Sequence, residues 1–200
     1  MFQQIRLKLA QTIHSFFLWC SFSMRRACLH RILGFIFLGM MSRLLPHPPN
    51  FTAINAIALF GICSLGNLGI SLFTVFSTML LCDLVIGFHS SMVFVYLSYG
   101  LIVLMGYWLK SKRSLIRSIF LLALSSLLFF IITNFGVWLV GSMYPKTIIG
   151  LELCYLAAIP FLSNNLMSTL LYGGMLFGWL ALAERDIPAL APKNRYSLIN

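Results

Sequence analysis

The 24 residues from Ser118 to Gly141 read SIFLLALSSLLFFIITNFGVWLVG and contain no charged side chain. A transmembrane α-helix needs about 20 consecutive apolar residues, so this stretch is long enough to cross a bilayer. The stretch from Ser71 to Phe88, SLFTVFSTMLLCDLVIGF, is of the same kind apart from one acid. Both runs are continuous and do not alternate in ten-residue strands, which favours helices over a β-barrel.

The composition indicates the same class of protein. Of the 200 residues, 60% are hydrophobic and only 9% are charged, whereas soluble domains carry about 25% charged residues. The net charge of +10 does not indicate nucleic-acid binding, because the basic residues flank the apolar segments. The five cysteines are scattered, and no nucleotide-binding, zinc-hydrolase or nucleophile-elbow motif is present. We therefore expect an all-α integral membrane protein that is not an enzyme and has no cofactor.

Six transmembrane helices are predicted, at 29–45, 51–66, 68–87, 91–109, 115–141 and 164–183. The second is short for a span, and a re-entrant half-helix is its alternative. Residues 142–163 are apolar but contain Glu152 and Pro160, so they are expected to form an outer re-entrant or interfacial segment. The chain then divides into an amphipathic or disordered tail at 1–28, a membrane domain at 29–183 and a tail at 184–200.

The distribution of basic residues predicts the topology. With six spans, twelve of the fourteen Lys and Arg residues fall on one side, and only Arg43 and Lys146 fall on the other. Cytoplasmic loops of membrane proteins carry an excess of Lys and Arg. Both termini and the loop around residues 110–117 are therefore expected to be cytoplasmic.

Hydrogen-bonding groups gather on the predicted outer side. Asp83 is the one acid within a predicted span, and an aspartate at a helix centre costs about 2.5–3.5 kcal/mol on insertion scales. It therefore needs a ligand or a partner such as Arg43, His47, His89 or Lys146. A structural ion pair is the alternative to a role in binding. The residues predicted to bind a solute are Asp83, His47, Asn50, His89, Asn134, Trp138, Tyr144, Glu152 and Asn164.

Two further motifs predict packing. Three prolines between Pro46 and Asn50 end the first helix and stiffen the first outer loop, so this loop is expected to form a rigid wall of the site or only a rigid connection. Gly174 and Gly178 form a G-x-x-x-G pair, which is expected to pack closely against another helix.

The sequence also resembles a known family. The segments RLLPHPPNFTAINAIALFG, CDLVIGFH, TNFGVW, YPKTIIGLELCYLAAIPF and LLYGGMLFG are similar to those of a family of bacterial six-span membrane proteins described as transport proteins of unknown function. That family is in turn similar in size and helix layout to the S components of energy-coupling-factor transporters. These capture a solute from outside and use a separate ATPase module with a coupling protein.

The resemblance implies a multi-pass protein of the bacterial cytoplasmic membrane that binds a small polar solute on its outer side. A separate ATPase and coupling module is its implied partner, together with the lipid bilayer, and no nucleic acid is expected. The alternative is a membrane scaffold that does not transport, similar to rod-shape-determining membrane proteins.

Overall fold

The computed structural model describes residues 28–111 and 114–186, which form six helices and no strand. The helices are α1 (28–44), α2 (Ile54–Leu65), α3 (Leu68–Ile86), α4 (Met92–Ser111), α5 (Leu115–Val140) and α6 (Ile148–Asp186). The predicted tails at 1–28 and 184–200 lie outside the described residues, except for Cys28 and residues 184–186.

The chain divides into two compact units, Met1–Gly34 and Phe35–Asn200. The described part of the first unit, residues 28–34, is helical. The second unit contains the rest of α1 and the five other helices, and the cavities described below lie within it.

Four helices, α3 to α6, are long and apolar enough to cross a membrane. The all-helical prediction is thus confirmed for the described residues. The prediction of six crossings also depends on α1 and α2, and α2 has only 12 residues. At 1.5 Å per residue α2 is about 18 Å long, which is shorter than the bilayer core of about 30 Å.

Helix α2 forms the centre of the bundle. Eleven of its twelve residues are buried, and it contacts α3, α4, α5 and α6. Close approach depends on Gly106 of α4, because a Cβ there would meet the carbonyl group of Leu59 and lie 2.8 Å from Ile62 Cγ2. Phe60 packs edge-on against Phe177 of α6, with ring centroids 5.0 Å apart.

Local signals set the helix boundaries. The Asn67 side chain accepts a hydrogen bond from the backbone N–H of Ile70 at 3.0 Å and so begins α3, and Ser114 begins α5 in the same way. Gly66 ends α2 with a φ of 74°, a conformation that glycine adopts without steric cost. The Lys146 ammonium contacts the carbonyl oxygens of Trp138 and Gly141 and so caps α5.

One predicted boundary is wrong. Residues 142–163 do not form a segment separate from the sixth span, because a single helix of 39 residues runs from Ile148 to Asp186 through Pro160. Neighbouring helices allow a proline inside a membrane helix, and the Tyr155 hydroxyl donates to the Ile131 carbonyl of α5 at 2.7 Å. At about 58 Å, α6 is roughly twice as long as the bilayer core is thick.

The expected packing of the G-x-x-x-G pair is also wrong for the described part of the chain. A Cβ added at Gly174 or Gly178 would meet no described atom within 4 Å. The close contact belongs to the preceding residue, since a Cβ at Gly173 would lie 2.6 Å from the Leu122 methyl groups.

Candidate functional site

Three helix connections meet at one end of the second unit. They are residues 45–53 between α1 and α2, 87–91 between α3 and α4, and 141–147 between α5 and α6. Asn50, Ser91 and Tyr144, one from each connection, line the same cavity. Residues that are far apart in sequence thus share one site.

Two neighbouring cavities lie at this end. The Arg43 cavity has a volume of about 240 Å³ and is lined by Arg43, His47, Asn50, Thr52, Ile86, His89, Val95, Tyr99, Phe129 and Asn165. The Asn134 cavity has a volume of about 300 Å³ and is lined by Asn50, Ser91, Val95, Phe129, Thr133, Asn134, Val137, Met143, Tyr144, Cys154, Ala157, Ala158 and Phe161. Asn50, Val95 and Phe129 belong to both linings, so the two cavities adjoin.

An ion pair lies beside the Arg43 cavity. Arg43 Nη2 donates to Asp83 Oδ1 at 2.7 Å, and the Tyr96 hydroxyl donates to Asp83 Oδ2 at 2.9 Å. Both carboxylate oxygens therefore have a partner, which offsets the cost of holding an acid in an apolar span. The Asp83 side chain is only 1% exposed and that of Arg43 is 17% exposed. Arg43, and not Asp83, lines the cavity.

The proline loop, residues 45–53, is held by polar contacts on both sides. The Ser42 hydroxyl of α1 accepts from the backbone N–H of Ala53 at 3.0 Å. The side-chain amide of Asn164 in α6 donates to the Pro49 carbonyl at 3.1 Å, and that of Asn165 donates to the Asn50 carbonyl at 3.4 Å. The stiff polar loop thus packs against a pair of asparagines in the middle of α6.

Two residues in the loop have special conformations. Asn50 has a φ of 61°, in the left-handed region that asparagine tolerates better than most other residues. His47 places Nδ1 at 2.7 Å from the Pro48 carbonyl oxygen and Nε2 at 3.1 Å from the Arg43 carbonyl oxygen. Carbonyl oxygens only accept hydrogen bonds, so a protonated ring nitrogen can donate to the carbonyl that it faces and hold the loop.

A buried amide pair lies beneath the loop. The Asn55 side-chain amide of α2 donates to Asn165 Oδ1 at 2.8 Å, and both residues are buried. Asn55 Oδ1 and the Thr169 hydroxyl have no hydrogen-bond partner among the described residues. Because Asn165 also lines the Arg43 cavity, this polar cluster connects the cavity wall to the central helix.

The predicted site residues are only partly brought together. His47, Asn50 and His89 line the Arg43 cavity, and Asn134 and Tyr144 join Asn50 in the lining of the other cavity. Four predicted residues line neither cavity, namely Asp83, Trp138, Glu152 and Asn164.

Contacts of these four residues explain their positions. Asp83 pairs with Arg43 and Asn164 with the proline loop, as described above. The Trp138 indole N–H donates to the Pro145 carbonyl at 3.0 Å and so stiffens the α5–α6 connection. Glu152 is exposed on α6.

The lining also contains residues that were not predicted from the sequence. Val95 and Phe129 have no chemical signal of their own, because apolar residues occur throughout the spans. Arg43 did stand out in the sequence, since it is one of two basic residues on the predicted outer side. Asn165 was distinguished only as half of an asparagine pair, and its contacts required the fold.

No group of three or more His, Cys, Asp or Glu residues able to hold a metal ion occurs in ranges 28–111 and 114–186. The side chains that line the two cavities provide hydrogen-bond donors and acceptors, one guanidinium, two imidazoles and aromatic walls. Such a lining can orient a small polar molecule against apolar surfaces.

Comparisons with known proteins give one match. No match was found among curated proteins or solved structures. Residues 24–190 match the family model described as a family of unknown function, DUF6580. That match covers the helical bundle and both cavities, and the chain therefore belongs to the DUF6580 family.

Proposed function

We propose that this protein is a multi-pass membrane protein that binds a small polar solute at its outer end, as a transporter or as a solute-capturing subunit of one. The observation that carries the proposal is the pair of cavities, built from three connections and lined by polar side chains from separate helices. Pockets that bind small molecules combine apolar walls with a few convergent polar groups.

The rigid loop supports a binding role. Residues 45–53 are fixed by Ser42 on one side and by Asn164 and Asn165 on the other. A wall that is already ordered loses little conformational entropy when a solute binds, so more of the interaction energy remains as affinity.

The proposed orientation follows from charge. Arg43 and Lys146 lie toward the end that contains the cavities, whereas Lys110 contacts the Gly66 carbonyl at the opposite ends of α2 and α4. The positive-inside rule assigns the Lys110 end to the cytoplasm. In this arrangement six crossings are completed by α1 and α2, the latter enclosed by other helices, and the membrane is the bacterial cytoplasmic membrane.

A solute screen on the purified full chain tests the proposal. Thermal unfolding in detergent would be measured with vitamins, nucleobases, amino acids and metal ions, one at a time. A solute that binds only the folded state at 100 times its Kd adds about 2.7 kcal/mol of stability. The expected result is a concentration-dependent rise in Tm for one chemical group of solutes.

Two matched variants locate the binding. Val95 lines both cavities, so Val95→Phe should fill the space and abolish the rise in Tm. Val93 lies on the same helix with 69% of its surface exposed, so Val93→Phe should retain it. The absence of any solute effect, or an effect that survives Val95→Phe, would overturn the proposal.

A scaffold is the second candidate, and one observation favours it. Gly174 and Gly178 line an apolar groove of about 290 Å³ between α5 and α6, with no described atom within 4 Å of an added Cβ. A helix of a partner membrane protein fits a groove of small residues. If the protein is a scaffold, Gly174→Leu should abolish its association with the partner protein, and no solute should raise its Tm. A separate coupling module, if one is used, would be a further occupant of the same groove.

A further inference from the structure

We propose that the solute is an anion, such as a small carboxylate, held by Arg43 together with His89. The inference rests on the proposed solute-binding function and adds the charge of the solute. It is based on the distribution of cationic and acidic groups around the Arg43 cavity.

The lining of this cavity has basic residues but no acid. It contains Arg43, His47 and His89 and no Asp or Glu, and the Asn134 cavity also has no acid in its lining. The carboxylate behind the wall, Asp83, is 1% exposed and has a hydrogen bond on each oxygen. It is therefore paired, buried and outside the lining, so a solute in the cavity does not meet it.

Arg43 keeps donors for a solute. A guanidinium has five N–H donors, and Asp83 receives one through a single oxygen. The other described contact of the Arg43 side chain is from Nη1 to the sulfur of Met79 at 2.8 Å, and a thioether is a weak acceptor. A carboxylate or phosphate oxygen is a much better partner for the remaining N–H groups.

The two histidines differ in what they can offer a solute. Both ring nitrogens of His47 face backbone carbonyl oxygens, as described above, so His47 helps to fix the loop beside the cavity. His89 is exposed in the middle of the 87–91 connection, and no hydrogen bond of its ring is found within the described residues. It is free to donate to a solute in the cavity that it lines.

Neutral and cationic solutes fit this lining less well. A cation would face Arg43 with no lining carboxylate to pair with, and like charges in a cavity repel. A neutral amide could use the same donors, but hydrogen bonds to a charged acceptor are roughly twice as strong.

Pairs of acids and their amides of equal size test the charge directly. The probes are acetate and acetamide, benzoate and benzamide, and succinate and succinamide. Each would be added to the purified full chain in detergent at constant ionic strength, and the Tm would be measured. We expect the acid of at least one pair to raise the Tm and its amide to have no effect at the same concentration. Raising the salt concentration should reduce the effect, because salt screens partly exposed charges.

Two substitutions assign the effect to the cavity. Arg43→Lys keeps the charge beside Asp83 but loses the planar fork of donors, and His89→Gln removes a group with no described hydrogen bond. Each should weaken acid binding about tenfold, as expected for one lost hydrogen bond to a charged group. Glu152→Gln is the control, since Glu152 is exposed and lines neither cavity, and it should bind as the wild type does.

Several results would overturn the inference. They are an amide that raises the Tm as much as its acid, an acid effect unchanged in both Arg43→Lys and His89→Gln, and no effect of any acid. The broader solute screen separates this failure from that of the proposed function. A neutral solute whose effect is lost in Val95→Phe would leave the binding function in place and remove only the anion. If no solute in either experiment raises the Tm, both proposals fail.

Discussion

Replacing Asp83 with alanine should destabilise the protein by about 3 kcal/mol, which we take from the lower end of the range for breaking a buried ion pair. The carboxylate accepts from Arg43 at 2.7 Å and from Tyr96 at 2.9 Å, so the variant leaves a guanidinium and a hydroxyl without their acceptor. The lower end applies because Arg43 is 17% exposed and can be partly solvated. The hydrogen bond from the Tyr96 hydroxyl contributes less, since side-chain hydrogen bonds measured in a membrane protein average about 0.6 kcal/mol.

The double variant Arg43→Met/Asp83→Leu should recover most of this loss. Replacing both members of a buried pair by apolar residues is often neutral, so we expect a stability within about 1 kcal/mol of the wild type. Under the proposed function the double variant should nevertheless lose solute binding, because Arg43 lines the cavity.

The assay is reversible unfolding in mixed micelles with increasing SDS, followed by helical circular dichroism. Glu152→Ala is the control, because an exposed side chain without such a partner should change stability by about 0.5 kcal/mol or less. A loss below about 1 kcal/mol for Asp83→Ala, or a double variant as unstable as the single one, would contradict the inferred role of the pair.

Three other predictions concern packing, loop conformation and topology. Gly106→Leu should lower stability by at least about 1–3 kcal/mol by overpacking α2 against α4. Gly174→Leu should have little effect on stability, because no described atom lies within 4 Å of its added Cβ. Thermal unfolding of both variants checks this prediction, and equal losses of stability would contradict it. Asn50→Val should cost about 1–2 kcal/mol because Asn50 has a φ of 61°, and Asn50→Gly should be tolerated in the same measurement. In a cysteine-free protein in intact cells, an impermeant thiol reagent should label Ser90→Cys and not Lys110→Cys, and the reverse pattern would refute the orientation.

Much of the helical layout follows from the sequence. The predicted span 115–141 corresponds to α5 at Leu115–Val140, and 68–87 corresponds to α3 at Leu68–Ile86. These boundaries were accessible because a continuous apolar run and its polar flanks are properties of one short segment. The course of α6 through Pro160 could not be predicted from the sequence, because it depends on contacts with α5 such as that between Tyr155 and Ile131.

The candidate site could be predicted from the sequence only in part. His47, Asn50 and His89 were distinguished by polarity in an apolar chain, and all three line the Arg43 cavity. Val95 and Phe129 could not be identified from the sequence, since nothing near them in the chain distinguishes a lipid-facing side chain from one that lines a cavity. The choice of Arg43 as the partner of Asp83, from four candidates, also required the packing of α1 against α3.

The sequence by itself determined that the chain is helical, with segments long and apolar enough to cross a membrane, because hydropathy is a property of short segments. Only the tertiary structure decided that α2 is the enclosed centre of the bundle, that Arg43 rather than Asp83 faces the cavity, and that Gly173 rather than Gly174 makes the close helix contact. These outcomes depend on how helices distant in sequence rotate and approach one another. In a chain that is 60% hydrophobic, almost every helix face is apolar enough to meet either lipid or another helix. Side-chain shape and the pairing of polar groups therefore determine which faces pack against each other.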